Sequence, residues 1–144
     1  MENLEIIGDK DKEVTFEDVG VLNRSIVSRT DLKGNITFAN KAFCTLSGYD
    51  KNELIGSPHS IVRHPDMPKA AFKEMWNTIQ NNQKWHGFIK NLRKDGKYYW
   101  TEAFIEPLSD ENGDIIGYIA ARKPMGEEDK KEFEKKYKQM KAKE

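Results

Sequence analysis

The sequence predicts an α+β domain: a five-stranded antiparallel sheet with short helices and one longer helix packed on one face, plus an N-terminal cap and a C-terminal helix. Three observations lead there. Two short β-type runs open the domain on either side of the turn Asp31-Leu-Lys-Gly34-Asn35. Ala71, Phe72, Met75, Trp76 and Ile79 then recur at helical spacing. Three long runs rich in aromatic and β-branched residues follow, divided by Asp95-Gly96 and Asn112-Gly113, the dipeptides that favour tight hairpins.

Residues 1 to 21 are charged with scattered apolar positions (Leu4, Ile6, Ile7, Val14, Phe16) and read as a loosely docked cap or short helix. The domain proper spans 22–124. It opens with a strand over 22–29, a turn, and a second strand at 36–39. Asn40 is a natural N-cap for a short helix over 41–47, which Gly48 stops, and Asp50 with Glu53 repeats the capping pattern ahead of Leu54. Pro68 suits the first turn of the longer helix. The last three strands cover Trp85 to Arg93, Lys97 to Leu108 and Asp114 to Lys123. From 125 to 144 a charged helix places acids first and lysines last, with Phe133, Tyr137 and Met140 as a thin apolar stripe projecting from the sheet.

Composition narrows the functional classes. At 144 residues the chain has the length of one domain with its own core. Lys+Arg and Asp+Glu are equal at 24 each, so no net positive field recruits nucleic acid. The single cysteine, Cys44, excludes a disulfide framework and fits a reducing compartment. The acidic start lacks the apolar run of a signal peptide, and no stretch nears the ~18 apolar residues of a spanning helix. A cytoplasmic chain is expected, reaching a membrane only through a partner.

The most informative segment runs from Ile55 to Lys69 and packs His59, Arg63, His64, Asp66 and three prolines between apolar residues. Each proline fixes its own φ and biases the preceding residue away from the helix, so a stiff irregular loop is expected. Such a loop, dense in hydrogen-bonding groups, suits a polar ligand. Arg63 can grip a phosphate in a bidentate way or pair with Asp66 three residues on. On the third strand Ile89 and Asn91 share a face, so Asn91 points into the core, where an unpaired amide costs about 1–3 kcal/mol. It either meets a ligand or caps a neighbouring backbone group. Trp76 is core by its period, yet an indole N–H seeks a polar neighbour. Trp85 either touches a ligand or closes a hydrophobic lid.

The element order is that of a PAS domain, and the residues are more specific still. Asp31 to Phe43, Ser47-Gly-Tyr49, Glu53 to Gly56, Arg63-His-Pro-Asp-Met-Pro68, Lys90 to Gly96 and Tyr99-Trp100 together resemble the PAS domains of Aer-type energy-taxis receptors, over roughly residues 22 to 124. Ending at 144, the chain looks most like the stand-alone CetB type, which works with a separate membrane-bound transducer. The resemblance implies non-covalent FAD, sensing of redox or electron-transport state, and signalling by contact with a chemoreceptor rather than catalysis, with a homodimer left open. It carries FAD-contact roles onto Asn40, His59, Arg63, His64, Asp66, Trp76, Trp85 and Asn91, and onto Ser28 from flavin PAS domains of the nitrogen-fixation regulator type. Asn offers both a donor and an acceptor, matching the flavin's pyrimidine edge. Light-sensing LOV domains keep their reactive cysteine in a helix that the proline-rich loop replaces here, so Cys44 is expected to be a small core residue.

Two other readings compete. A haem-binding gas sensor has His59, His64 and His86 as candidate axial ligands, although the long helix at 69–80, where haem PAS ligands lie, has no histidine. A ligand-free dimerisation module leaves the polar loop without a purpose. No nucleophile elbow, phosphate loop or metalloprotease motif marks an enzyme.

Overall fold

In the computed structural model, which describes residues 12–144, five strands form one antiparallel sheet. They are β1 (Ile26–Thr30), β2 (Ile36–Ala39), β3 (Trp85–Leu92), β4 (Tyr98–Ser109) and β5 (Ile115–Pro124), in the spatial order β2-β1-β5-β4-β3. Among the described residues four α-helices accompany them: α1 (Lys41–Ser47), α2 (Lys51–Leu54), α3 (Lys69–Gln80) and α4 (Glu127–Ala142). The fold is the α+β arrangement expected from the sequence.

Local chemistry places the boundaries. Asn40 caps α1 by accepting the Phe43 N–H at 3.0 Å, and Gly48 ends it in the left-handed region at φ 78°. Asp50 stands at the N-cap of α2 without a side-chain bond. The first strand starts at Ile26, later than the run beginning at Leu22 suggests; Val21 bonds back to Phe16, and residues 16–20 form turns. The proline-rich segment is not wholly irregular. Pro58, fixed at φ −63°, leads into one turn of 3₁₀-helix at His59–Val62.

Strand register sorts the residues between two faces. One row runs Asn91–Tyr99 and Ile89–Thr101, and the next joins Ala103 with Arg122 and Ile105 with Ala120, continuing to Ile26 and Ser28 on β1. This inner face meets α1 through Phe43 and Leu46 and meets α3 through Ala71, Met75 and Ile79. The opposite, outer face carries Phe88, Lys90, Tyr98 and Trp100. There the expectation of a projecting C-terminal helix is corrected. The Phe133 ring lies 4.5 Å from Phe88, Tyr137 stacks at 6.2 Å on Trp100, and the Tyr137 hydroxyl donates to the Phe88 carbonyl at 2.7 Å. Burying those aromatic rings outweighs leaving the stripe in water, so α4 lies down on the sheet.

Of the expected N-terminal cap, Leu4, Ile6 and Ile7 lie outside the described residues. Residues 12–21 contain no helix. The Val14 N–H donates to the Tyr98 carbonyl at 2.8 Å, which receives the chain at the start of β4, while Val14 and Phe16 are buried. Among the described residues no helix is long and apolar enough to cross a membrane.

Candidate functional site

The proline-rich segment spans the width of the sheet. At one end the Ile36 N–H donates to the Ser57 carbonyl at 2.8 Å and the His59 N–H to the Gly34 carbonyl at 2.9 Å, tying the loop to the edge strand β2. At the other end Arg63 pairs with Asn91 on the opposite edge strand, β3. Below this bridge, between α3 and the inner face, lies a cleft enclosing about 820 Å³, counting its open mouth. Without the open space at its mouth the cavity is about 140 Å³, below the ~300–1,000 Å³ of typical small-molecule sites.

One side of the cleft is apolar. Ile79, Met75, Ile89 and Ala103 line it, and Trp76 faces Tyr118 edge-on at 5.5 Å. Gly34 fixes the approach of that indole: it sits at φ +86°, and a Cβ there would lie 3.2 Å from the Trp76 ring. A side chain at residue 34 would push the wall inward.

The other side is polar. Asn91 is 5 % exposed, and its amide nitrogen donates to the Ile89 carbonyl at 3.1 Å and to Thr101 Oγ1 at 3.3 Å; among the described residues no bond engages its Oδ1. Arg122 Nη2 lies 2.9 Å from both Ser28 Oγ and His59 Nε2, and those two atoms are 3.1 Å apart. Burial and then the Arg122 charge depress the His59 pKa to about 3, so the ring is neutral and Nε2 accepts from the guanidinium. Burial lowers Arg122 in turn to about 10, which leaves it charged at neutral pH. No ion pair reaches it among the described residues, and its Nη1 has no hydrogen-bond partner. Arg63 stands on the cleft's border with its guanidinium 4.2 Å above the Phe72 ring, and it makes no ion pair with Asp66.

The structure thus brings Ser28, His59, Arg63, Trp76 and Asn91 to one cleft. The remaining sequence candidates lie elsewhere. Asn40 spends its amide on structure, donating to the Ser25 carbonyl at 2.6 Å and accepting from Val27 and Phe43. His64 is buried behind the loop, its Nδ1 accepting the Asp66 N–H at 3.0 Å and its ring edge-on to Tyr98 at 6.1 Å. Asp66 turns outward to Lys90 at 3.2 Å. Trp85 is buried against Gly87, where a Cβ would overlap its ring, and its Nε1 has no partner. Cys44 is partly buried beside the α1 core, with its thiol pKa raised by burial.

Sequence reasoning missed Arg122 and Tyr118. Their signal was the strict alternation Tyr118, Ala120, Arg122, which places the arginine on the same inward face as two buried residues. The charged look of Ala-Arg-Lys at the strand end concealed it.

A sheet of this order, crossed by a loop that roofs an internal cleft, defines an α+β domain with a cleft between helix and sheet. The chain belongs to the PAS family: residues 36–122 match the PAS fold. It is 45 % identical over 118 residues, 82 % of its length, to the aerotaxis receptor of Escherichia coli strain K12. It is 32 % identical over 67 % of its length to the nitrogen fixation regulatory protein of Klebsiella pneumoniae. The chain spans under a quarter of both relatives, 23 % and 20 %. In three dimensions it resembles a light-oxygen-voltage domain studied with a flavin analogue, at TM-score 0.70 and 22 % identity over 85 % of this chain and 94 % of that one.

Proposed function

We propose that this chain is a flavin-binding PAS redox sensor, that the flavin is non-covalent FAD, and that it reports electron-transport state to a membrane-bound chemotaxis transducer through protein contact rather than catalysis. The observation that carries this reading is the cleft itself, which has an apolar wall held open at Gly34 and Trp76 and an opposite wall bearing a buried cation with an unpartnered Nη1. Similarity to an aerotaxis receptor supports the taxis role, and a fold neighbour that takes a flavin analogue supports the ligand class.

The residues fit a flavin. When bound, the group supplies reversible electron storage in a flat ring with alternating carbonyl and N–H groups along one edge. Asn91 presents an amide of matching donor and acceptor character beside Ile89. Trp76 offers an aromatic wall. Arg63, at the border and free of carboxylates among the described residues, is placed to take a phosphate of the FAD tail. The haem alternative is weakened, because His59 is the one histidine lining the cleft and its Nε2 is already engaged. His86 sits on the outer face 2.7 Å from Glu102.

The test is the absorption spectrum of the purified protein, with chromatography of what acid releases. The two-banded spectrum of oxidised flavin and release of FAD are expected, and Asn91→Ala and Trp76→Ala each lower flavin content at least tenfold in folded protein. A haem band, or full flavin retention by both variants, overturns the assignment. A colourless protein that refuses added FAD does the same.

A further inference from the structure

We infer that Arg122 is the counter-charge of the cleft: it favours the ligand form that carries negative charge, and so sets the reduction equilibrium of whatever redox group the cleft holds. The inference rests on the flavin reading but adds to it a residue, a charge and a direction. Arg122 lies on β5 between Ile26 and Ala103 and is 7 % exposed. Its guanidinium crosses the Phe43 ring at 4.8 Å and reaches the cleft wall.

Every group in contact with it is neutral, and the other charge on the cleft's border, Arg63, is also a cation. Ser28 and His59 meet Nη2, Phe43 lies beneath, and the Tyr99 phenol on β4 has its pKa pushed up by burial and keeps its proton. The other buried cation among the described residues, Lys90, has two carboxylates. A desolvated cation without a counter-ion attracts negative charge into its neighbourhood, and the adjacent cleft is where a ligand can bring it. Neutral His59 is the acceptor that holds the guanidinium in place without cancelling its charge.

An oxidised flavin that takes up two electrons and one proton gains one negative charge; with two protons it gains none. Arg122 therefore favours the one-proton outcome and shifts the balance toward the reduced form. The electrons come in the assay from a reduced viologen dye.

Reductive titration of the holoprotein against that dye tests this. In Arg122→Gln, similar in reach but uncharged, loaded with added FAD and freed of the unbound excess, the ratio of reduced to oxidised bound flavin at a fixed potential is expected to fall at least tenfold, equivalent to ~30 mV for a two-electron couple. Arg122→Lys, which keeps the charge, stays within threefold of the wild type. A wild-type ratio in Arg122→Gln overturns the proposal.

Should Arg122→Gln not fold, the wild type decides. At mildly acidic pH, where reduced flavin in water takes up two protons, its ratio is expected to fall tenfold per pH unit, and a hundredfold fall overturns the inference. Purified wild type without flavin rejects the cofactor reading instead, so the two failures are distinguishable.

Discussion

Lys90 and Asn91 are neighbours on β3, equally buried at 6 % and 5 % exposure, and their surroundings are opposites. On the outer face Lys90 is closed in by the chain's own groups. Its ammonium lies 3.0 Å from Glu134 on α4, 3.2 Å from Asp66 in the loop, and 4.5 Å above the Tyr98 ring. Burial alone lowers its pKa, but Glu134 and then Asp66 outweigh that and raise it. On the inner face the polar groups are unfinished: Arg122 has no carboxylate, and its Nη1 has no partner. One buried cation is thus paired with two carboxylates and the other only with neutral groups, an asymmetry that the proposed ligand would complete.

The comparison can be broken most forcefully at α4. Tyr137→Ala removes a buried ring from Trp100 and Phe133 and should cost about 3 kcal/mol in urea unfolding. The same variant should retain flavin, since the helix lies on the face opposite the cleft; loss of flavin from folded protein would show that the faces are coupled.

A more gradual effect comes from pH. His59 has a folded pKa near 3 against an ordinary 6.5, so below 6.5 the unfolded chain binds the extra proton. Stability conferred by the neutral ring is full above 6.5 and declines as the pH falls toward 3, with a slope of at most ~1.4 kcal/mol per pH unit. Urea unfolding across that window should show the slope in the wild type and a shallower one in His59→Gln.

Finer still, Tyr137→Phe removes one hydrogen bond to the Phe88 carbonyl and should cost about 1 kcal/mol. Lys90→Met should change stability by less than ~1 kcal/mol, because the Asp66 and Glu134 side chains it abandons are 64 % and 47 % exposed and remain hydrated. A larger loss there would mean that the outer face depends on its ion pairs rather than its aromatic packing.

Much of this was legible in the chain. Hairpin dipeptides, caps and the helical spacing of Ala71, Met75 and Ile79 are local signals, and local geometry obeys them. Period two turned Asn91 inward, and it lines the cleft. Asn40 shows where this kind of reading stops: its capping role was written in its neighbours, whereas the donation of its amide N–H to the Ser25 carbonyl, 15 residues back, depends on how β1 passes α1. His64 and Asp66 make the same point, because one loop presents Arg63 to the cleft and turns the next residues to the other side of the sheet edge.

The sequence by itself determined the element types, the inward and outward alternation along each strand, and the stiffness of the loop with its three prolines, since φ restriction, capping and side-chain period act within a few residues. Tertiary structure decided which polar groups share a cavity. Ser28, His59 and Arg122 are separated by 31 and 63 residues and meet only because β1 and β5 pair and the loop bridges both sheet edges. It also decided that the α4 stripe folds back on the sheet, because the aromatic surface that receives it is assembled from β3 and β4 and has no local signature.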